Sequence, residues 1–303
     1  MSVEGGSRFS RPDGDVILRT CDMVDFQVHK VILSEASPIF QTMFSLPQPQ
    51  HAQNNDGRLP EVPVQEDSQT FDYLLRLCYP IKDPVITSID EIEKVLAAAQ
   101  KYEVEVAMIY CLKFLLEYTV TDPWSVYGVA VRRGLEERAR AAALESLNHD
   151  FPLQAKIPAS FERMSGTAVF YLVQYRDACK QAAMSEVETR ALSRLAPPRM
   201  GTMAYDCTLC MSRHPGTSRH RAFKLEVSKY RDRLLTVVQR APTGAMIRSD
   251  AELNSLSMID MSSLDSACPL CASSALCVLK LMHIHLAEKI DEAISNIRIT
   301  LDM

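Results

Sequence analysis

Two pairs of cysteines carry the densest metal-binding or redox chemistry in this chain. Cys207-Thr-Leu-Cys210 and Cys268-Pro-Leu-Cys271 each present two thiols from a single turn, and two such pairs supply the four thiolates of a tetrahedral zinc site. The 57 residues 211–267 that separate them exceed the gap of a zinc ribbon. The pairs therefore meet only if the intervening chain runs out and back, and the helical patterns at 219–240 and 249–264 allow that excursion. His214, four residues after Cys210, is a substitute ligand. Three readings stay open. A structural zinc would fasten the C-terminal helices and contribute folding free energy; reduced thiols would pack as small hydrophobes; a redox pair would use Cys268-Pro269 at a helix start to lower a thiol pKa. The redox reading lacks the βαβ setting of a thioredoxin-like site. His283 and His285 stand two apart in a helical pattern, so they point to different sides and do not chelate together.

The second constellation is His29-Lys30, which stands in FQVHKVILSEASPIFQTMF, residues 26–44, in front of an apolar helical run. A catalytic histidine needs a nucleophile or a second titratable partner at defined spacing, and none stands nearby in the sequence. A histidine where a strand turns into a helix instead fills half-apolar space and hydrogen-bonds to backbone groups left unpaired at the helix start. That structural role is the expectation for His29, and the chain is expected not to be an enzyme.

The elements that position these residues divide the chain in two. Short extended runs at 15–20 (DVILRT) and 26–29 (FQVH) flank CDMVD, with Asp22 and Asp25 as turn residues, a hairpin signal. Helical spacing continues through Val31, Ile32 and Leu33, and Ser37-Pro38 opens a second helix. The Pro-rich loop 46–61 leads to a third strand at 61–65 (EVPVQ). Ser68 is the expected cap of a helix carrying Phe71, Leu74, Leu75 and Cys78, which Tyr79-Pro80 ends. Helical segments at 88–102 and 103–119 complete an α+β domain with a short three-stranded sheet and a helical layer. From Thr121-Asp122-Pro123 onward no strand pattern is found. Helices are expected at 124–133, 135–148, 166–195, 219–240 and 270–299, with linkers at 150–160 and 196–206. The expected organisation is a tail at 1–14, an α+β domain at 15–120 and an all-α domain at 121–303, subdivided near 196–206.

The order DVILRT, FQVHKVILSEASPIFQTMF, LPEVPVQEDSQTFDYLLRLCYP, EIEKVLAAAQKYEVEVAMIYCLKFLLE resembles a BTB/POZ domain over residues 15–118. Its core is the V-H-K-x-x-L-S-x-x-S-P-x-F pattern. The stretch 123–147 (PWSVYGVAVRRGLEERARAAALESL) resembles the segment C-terminal to the BTB domain in a large fungal, mushroom-type group whose chains continue as helices. The resemblance implies protein–protein interaction by homo- or hetero-oligomerisation. It implies that Asp15 and Lys30 line a charged partner-binding pocket beside His29, against the plainer reading of a simple ion pair. It also implies a cullin scaffold as one class of partner. The matching docking place is Leu46-Pro47-Gln48, where Gln48 replaces the glutamate of the motif.

Composition narrows the function classes. The 303 residues are 47% hydrophobic and 23% charged, ordinary for a cored protein. The net charge of −5 argues against direct nucleic-acid binding, and the basic stretch 213–233 reads first as a solvated helix face. The Met-rich run 256–264 reads first as gap-filling core. No stretch approaches the roughly 18 apolar residues of a membrane helix, and the N-terminus lacks an apolar signal region. The expected location is intracellular, cytoplasmic or nuclear. Nine cysteines, five of them outside the CxxC pairs (Cys21, Cys78, Cys111, Cys179, Cys277), read as buried thiols in a reducing compartment. The leading expectation is an interaction module with protein partners, including a second copy as homodimer. A cullin-ligase substrate adaptor and a transcriptional regulator acting through a partner are the alternatives, and no cofactor is expected beyond a structural zinc.

Overall fold

The computed structural model describes residues 3–4, 9, 13–46, 59–150, 159–189, 230–249 and 283–301. The chain divides into two compact units, Met1–Asp122 and Pro123–Met303.

In the first unit, β2 (Val16–Arg19) and β3 (Val24–Val28) form the expected hairpin, pairing Val16 with Val28 and Leu18 with Phe26. Alternation along β2 buries Val16 and Leu18 and turns Ile17 and Arg19 outward. The turn is tighter than the sequence suggests. Met23 takes the left-handed conformation at φ 63°, so Asp25 is not a turn residue but lies in β3, where its carboxylate receives Arg19 Nε at 2.7 Å and Nη2 at 2.8 Å. Asp22 does serve the turn, and it also reaches the start of a later helix. A third strand, β4 (Glu61–Pro63), lies parallel to β2, which requires a crossover. The helices α1 (Lys30–Ala36) and α2 (Pro38–Ser45) lie within it. To these three strands the N-terminal arm adds a two-residue edge strand, β1 (Val3–Glu4), parallel to β3, giving the order β1-β3-β2-β4.

The helical layer arises from local signals. Ser37 caps α2, its Oγ accepting Phe40 N–H at 3.0 Å with Pro38 at the first helical position. At α3 (Ser68–Cys78) the cap is Asp67 rather than Ser68: Asp67 Oδ1 accepts Thr70 N–H at 2.8 Å. Ser68 is the first helical residue, and its N–H and hydroxyl are both held by Asp22 at 3.0 and 2.6 Å. A carboxylate bound at both helix-entry residues satisfies amides that an uncapped start would leave open. Ser88 caps α4 (Ile89–Lys101) through Asp90 and Glu91 N–H. Glu103, at φ 53°, then breaks the helical run and separates α4 from α5 (Glu105–Thr119). Inside, Phe40 stacks on Tyr102 at 4.5 Å, and Phe26 meets Phe71 edge-on at 5.5 Å. This aromatic cluster joins sheet to helices.

In the second unit the described residues form helices joined by turns and short irregular segments. They comprise α6 (Pro123–Arg132), α7 (Glu136–Glu145) continued by a 3₁₀ turn at Ser146–Asn148, α8 (Ala159–Glu162) and α9 (Gly166–Thr189), with helical residues at 230–240, Gly244–Ser249 and 283–295. Gly134, at φ 68°, makes the turn between α6 and α7. Gly244 sits against the 283–295 helix so closely that a Cβ would meet Ala287 O at 2.3 Å, and its N–H donates to Asp291 Oδ1 at 2.8 Å. The last helix ends at 295, earlier than its apolar pattern suggests: Asn296 turns back to donate to Glu292 O at 3.0 Å. Half-buried Arg176 ties α9 to the 3₁₀ turn, donating to Ser146 O and to His149 O and lying 4.9 Å over the Trp124 ring.

Candidate functional site

The joint between β3 and α1 gathers the residues of the His29-Lys30 constellation. His29 is the N-cap residue of α1, in extended conformation at φ −103°, yet its ring makes no cap hydrogen bond. The expected contact with helix-start amides is therefore absent. The ring turns instead to Tyr79, fifty residues along the chain at the end of α3. Tyr79 Oη accepts His29 N–H at 2.8 Å and lies 3.3 Å from His29 Nδ1. On the other side of the ring, Nε2 is 3.5 Å from Asp13 Oδ2. Both ring nitrogens thus face a polar group, and the contact with Tyr79 links the strand end to the end of α3. The buried Phe9 ring closes the inner side, edge-on to Tyr79 at 5.4 Å.

The cap of α1 is Asp15, reaching across from the start of β2. Its Oδ1 accepts Lys30 N–H at 2.7 Å, while its own N–H donates to Val28 O at 3.0 Å. Asp15 and Lys30 are thus brought together, but by carboxylate and backbone. Among the described residues no ion pair links their side chains, so the simple ion-pair reading gives way to a cap that also suits the positive end of the helix. Lys30 is half-buried, and Val31 beside it is 65% exposed. Asp13, Asp15, Lys30 and Val31 form a small patch of mixed charge with one apolar residue at its edge.

Leu46, the first residue of the docking tripeptide, terminates α2 and is 59% exposed. Gln48 lies outside the described residues, as do Cys207, Cys210, Cys268, Cys271, His214, Cys277 and the run 256–264. Among the described residues no group of three or more His, Cys, Asp or Glu side chains is placed to hold a metal ion. His283 and His285 do point to different sides: His283 is buried with Nδ1 2.8 Å from Tyr230 Oη, whereas His285 faces Glu288 at 3.8 Å. Cys111 and Cys179 are buried, and burial pushes their thiols up to about 12 and about 11. Such thiols hold little thiolate at neutral pH. Cys21 is exposed, against the expectation of a buried thiol.

Sequence reasoning missed three participants. Tyr79 reads as a helix-ending residue, and nothing in its neighbourhood signals a partner fifty residues earlier. Asp13 sits in a polar run without periodicity. The third is a face of α5. Val106, Ile109, Leu116 and Val120 are 48%, 60%, 51% and 63% exposed, although each is apolar and the helix also buries Ala107, Cys111 and Leu115. The signal for it is in the spacing, since an amphipathic surface helix would carry apolar residues on one side only.

Two carboxylates elsewhere in the first unit are held below their ordinary range. Burial pushes the Glu66 carboxyl up, but Lys101 Nζ at 2.8 Å and the Tyr102 hydroxyl at 2.7 Å outweigh it and hold the group below its ordinary range. Desolvation likewise opposes Asp22, and hydrogen bonds from Ser68 and Thr20 prevail in the same direction.

Residues 10–119 match the model of the BTB/POZ domain. No curated protein matches the chain. BTB/POZ domains are interaction modules rather than catalysts, which gives this chain a protein-binding role in general. Among the described residues no helix is long and apolar enough to cross a membrane.

Proposed function

We propose that this chain, whose residues 10–119 are a BTB/POZ domain, is a non-enzymatic protein–protein interaction protein. In it the patch at the head of α1 is a partner-binding surface and the helical half serves a second partner. The carrying observation is how the polar groups of the joint are used. His29 is engaged by Tyr79 and Asp13 on both ring nitrogens, and Asp15 is engaged by the amide of Lys30. A histidine held this way is a structural element, while Val31 stands exposed and Lys30 half-buried at the start of the helix. Pre-organised display of this kind lowers the ordering cost of binding. Asp15, His29 and Lys30 are accordingly assigned to the partner site, Asp15 and His29 by positioning α1 and Lys30 by contact.

The chain belongs, on this reading, to the fungal group whose BTB domain is succeeded by helices, and it works inside the cell, in cytoplasm or nucleus. Homo- or hetero-oligomerisation is its mode of action. A second reading, substrate adaptor of a cullin-based ligase, rests on exposed Leu46 at the matching place after α2, with Gln48 where the motif has glutamate.

Affinity purification of the tagged full chain from native extract, beside a Lys30→Glu/Val31→Asp variant, tests the proposal. Proteins recovered with the wild type and lost with the folded variant support the patch. Equal recovery with both removes it. A cullin among the stoichiometric proteins selects the adaptor reading.

A further inference from the structure

Where the helix of 283–295 ends, the chain turns back against α7. Ile297 N–H donates to Ile294 O at 2.9 Å, and the residues beyond alternate, with Arg298 exposed, Ile299 buried and Thr300 exposed. The Ile299 carbonyl accepts Arg140 Nη1 at 3.0 Å. Arg140 and Leu144 stand four residues apart on α7, so they share one face of that helix. Between this face, Tyr175 of α9 and the segment 294–299 lies a cavity of about 230 Å³. Tyr175, Ile294 and Ile299 are its buried wall, while Leu144 is 49% exposed.

The two arginines of this apolar recess differ. Arg140 is engaged by Glu136, whose Oε1 receives Nε at 2.9 Å and Nη2 at 2.6 Å. Arg298 also lines the cavity, but it is exposed and makes no ion pair or side-chain hydrogen bond among the described residues. No carboxylate is among the described residues of the lining. An apolar recess beside one unmatched guanidinium selects an apolar group joined to a carboxylate, because the planar fork of arginine matches that anion. Volume limits the apolar part. At about 230 Å³ the space is below the roughly 300–1,000 Å³ of sites for drug-sized molecules, and suits a single side chain. The main chain then favours a peptide over a free acid. Residues 297–301 belong to no helix or strand, and the amides of Arg298 and Thr300 make no backbone–backbone bond among the described residues. Such groups pair with another main chain, which gives a peptide affinity while an adjoining pocket gives it specificity.

We infer that this cavity is a peptide-binding site. It seats one apolar side chain of a partner protein, and Arg298 holds the carboxylate of an aspartate or glutamate next to that side chain. The inference rests on the reading that the helical half serves a second partner, and it names the chemistry of that partner's segment.

An array of immobilised, acetylated pentapeptides, varied through all residues at two adjacent central positions, is probed with the purified full chain. The strongest binder is then titrated in solution by fluorescence anisotropy. Leu, Ile or Met beside Asp or Glu is the expected pair. Replacing the acidic residue of that peptide by its amide weakens binding on the order of tenfold, and replacing the apolar residue by Ala does so by a similar factor. Arg298→Gln abolishes the difference between acid and amide peptides and keeps the apolar preference. Leu144→Asp weakens the acidic peptide. Both changes fall at exposed positions, and circular dichroism verifies that each variant folds. An array without an enriched pair, or an acid preference that survives Arg298→Gln, overturns the inference. So does displacement of the peptide by an equal concentration of 4-methylpentanoate, which would make the cavity a site for a small acid. Proteins that the full chain recovers from extract despite both Lys30→Glu/Val31→Asp and Arg298→Gln would keep the second-partner reading while this site falls.

Discussion

Asp15→Ala and Lys30→Ala separate a helix cap from an ion pair, because the structure joins these residues through one side chain only. Asp15 Oδ1 accepts the backbone N–H of Lys30 at 2.7 Å. Replacing Asp15 by Ala removes that bond, a loss of about 0.5–2 kcal/mol for a helix cap. It also removes the anion at the positive end of α1, a contribution of about 0.3–1 kcal/mol that overlaps with the first. The sum expected for this exposed carboxylate is about 1 kcal/mol. Lys30→Ala leaves the donor in place, since the donor is main chain, and its effect stays within about 0.5 kcal/mol. Asp15→Asn keeps an acceptor oxygen and loses only the charge, so it falls between the two. The assay is urea unfolding of the full chain with pulsed hydrogen exchange, which locates the transition that exposes residues 16–46. A double-mutant cycle of Asp15→Ala with Lys30→Ala completes it and is expected to show no coupling. Equal losses for the two single changes, with a coupling of about 1 kcal/mol, would mean a side-chain ion pair and would refute the capping argument.

Three further outcomes are expected from the same geometry. Tyr79→Phe strips the acceptor from His29 N–H and leaves a backbone donor unpaired, a cost of about 1–3 kcal/mol. His29→Ala keeps that main-chain bond and is expected to cost less; the urea midpoints of the two variants rank the contributions. The carboxylates of Glu66, Asp22 and Asp67 are all held below their ordinary values against an opposing desolvation. Their contribution is complete above the unfolded values near pH 4 and is lost as pH falls through the lower folded values, so the urea midpoint is expected to be flat from about pH 7 to 5 and to drop below about pH 4. Cys21 is exposed whereas Cys111 is buried with its thiol pushed up to about 12, so a maleimide is expected to label Cys21 in the native chain and Cys111 only after denaturation, as read by peptide mass spectrometry.

The sequence made the first half readable wherever a signal is local. Ser37-Pro38 opens the helix it precedes, and alternation in DVILRT places Val16 and Leu18 inside. Errors occur where the deciding group is distant or where one residue changes the backbone. Ser68 looks like a cap until Asp22, forty-six residues earlier, is seen to hold its N–H and hydroxyl, leaving Asp67 in the cap position. Asp25 looks like a turn residue until Met23 supplies the left-handed step. Glu103 looks helical until its positive φ ends α4. At the candidate site the residues Asp15, His29 and Lys30 were legible by type, but the bonds joining them were not, because Tyr79 and Lys30 N–H are brought in by the fold. The apolar residues of α5 are spaced on both of its sides in the sequence, and accessibility shows which side is left open.

The head of α1 and the outer face of α5 share one foundation, and that is what makes both usable. Ser37 Oγ accepts Phe40 N–H and donates to Tyr102 O, so the entry of α2 is tied to the end of α4. The Tyr102 ring stacks on Phe40, and its hydroxyl reaches Glu66, which also receives Lys101. From Tyr102 the chain passes through Glu103 into α5, and from Ser37 it runs back through α1 to the Asp15 cap. Both surfaces are thus fixed to a single buried cluster whose polar members are matched inside it. Stability is concentrated in that cluster, while Val31, Ile109 and Val120 remain in water at 65%, 60% and 63% exposure. Each such side chain forgoes about 1.5–3 kcal/mol available from full burial. That forgone burial becomes available when a partner covers the face, and because the face is already rigid little of it is lost to ordering.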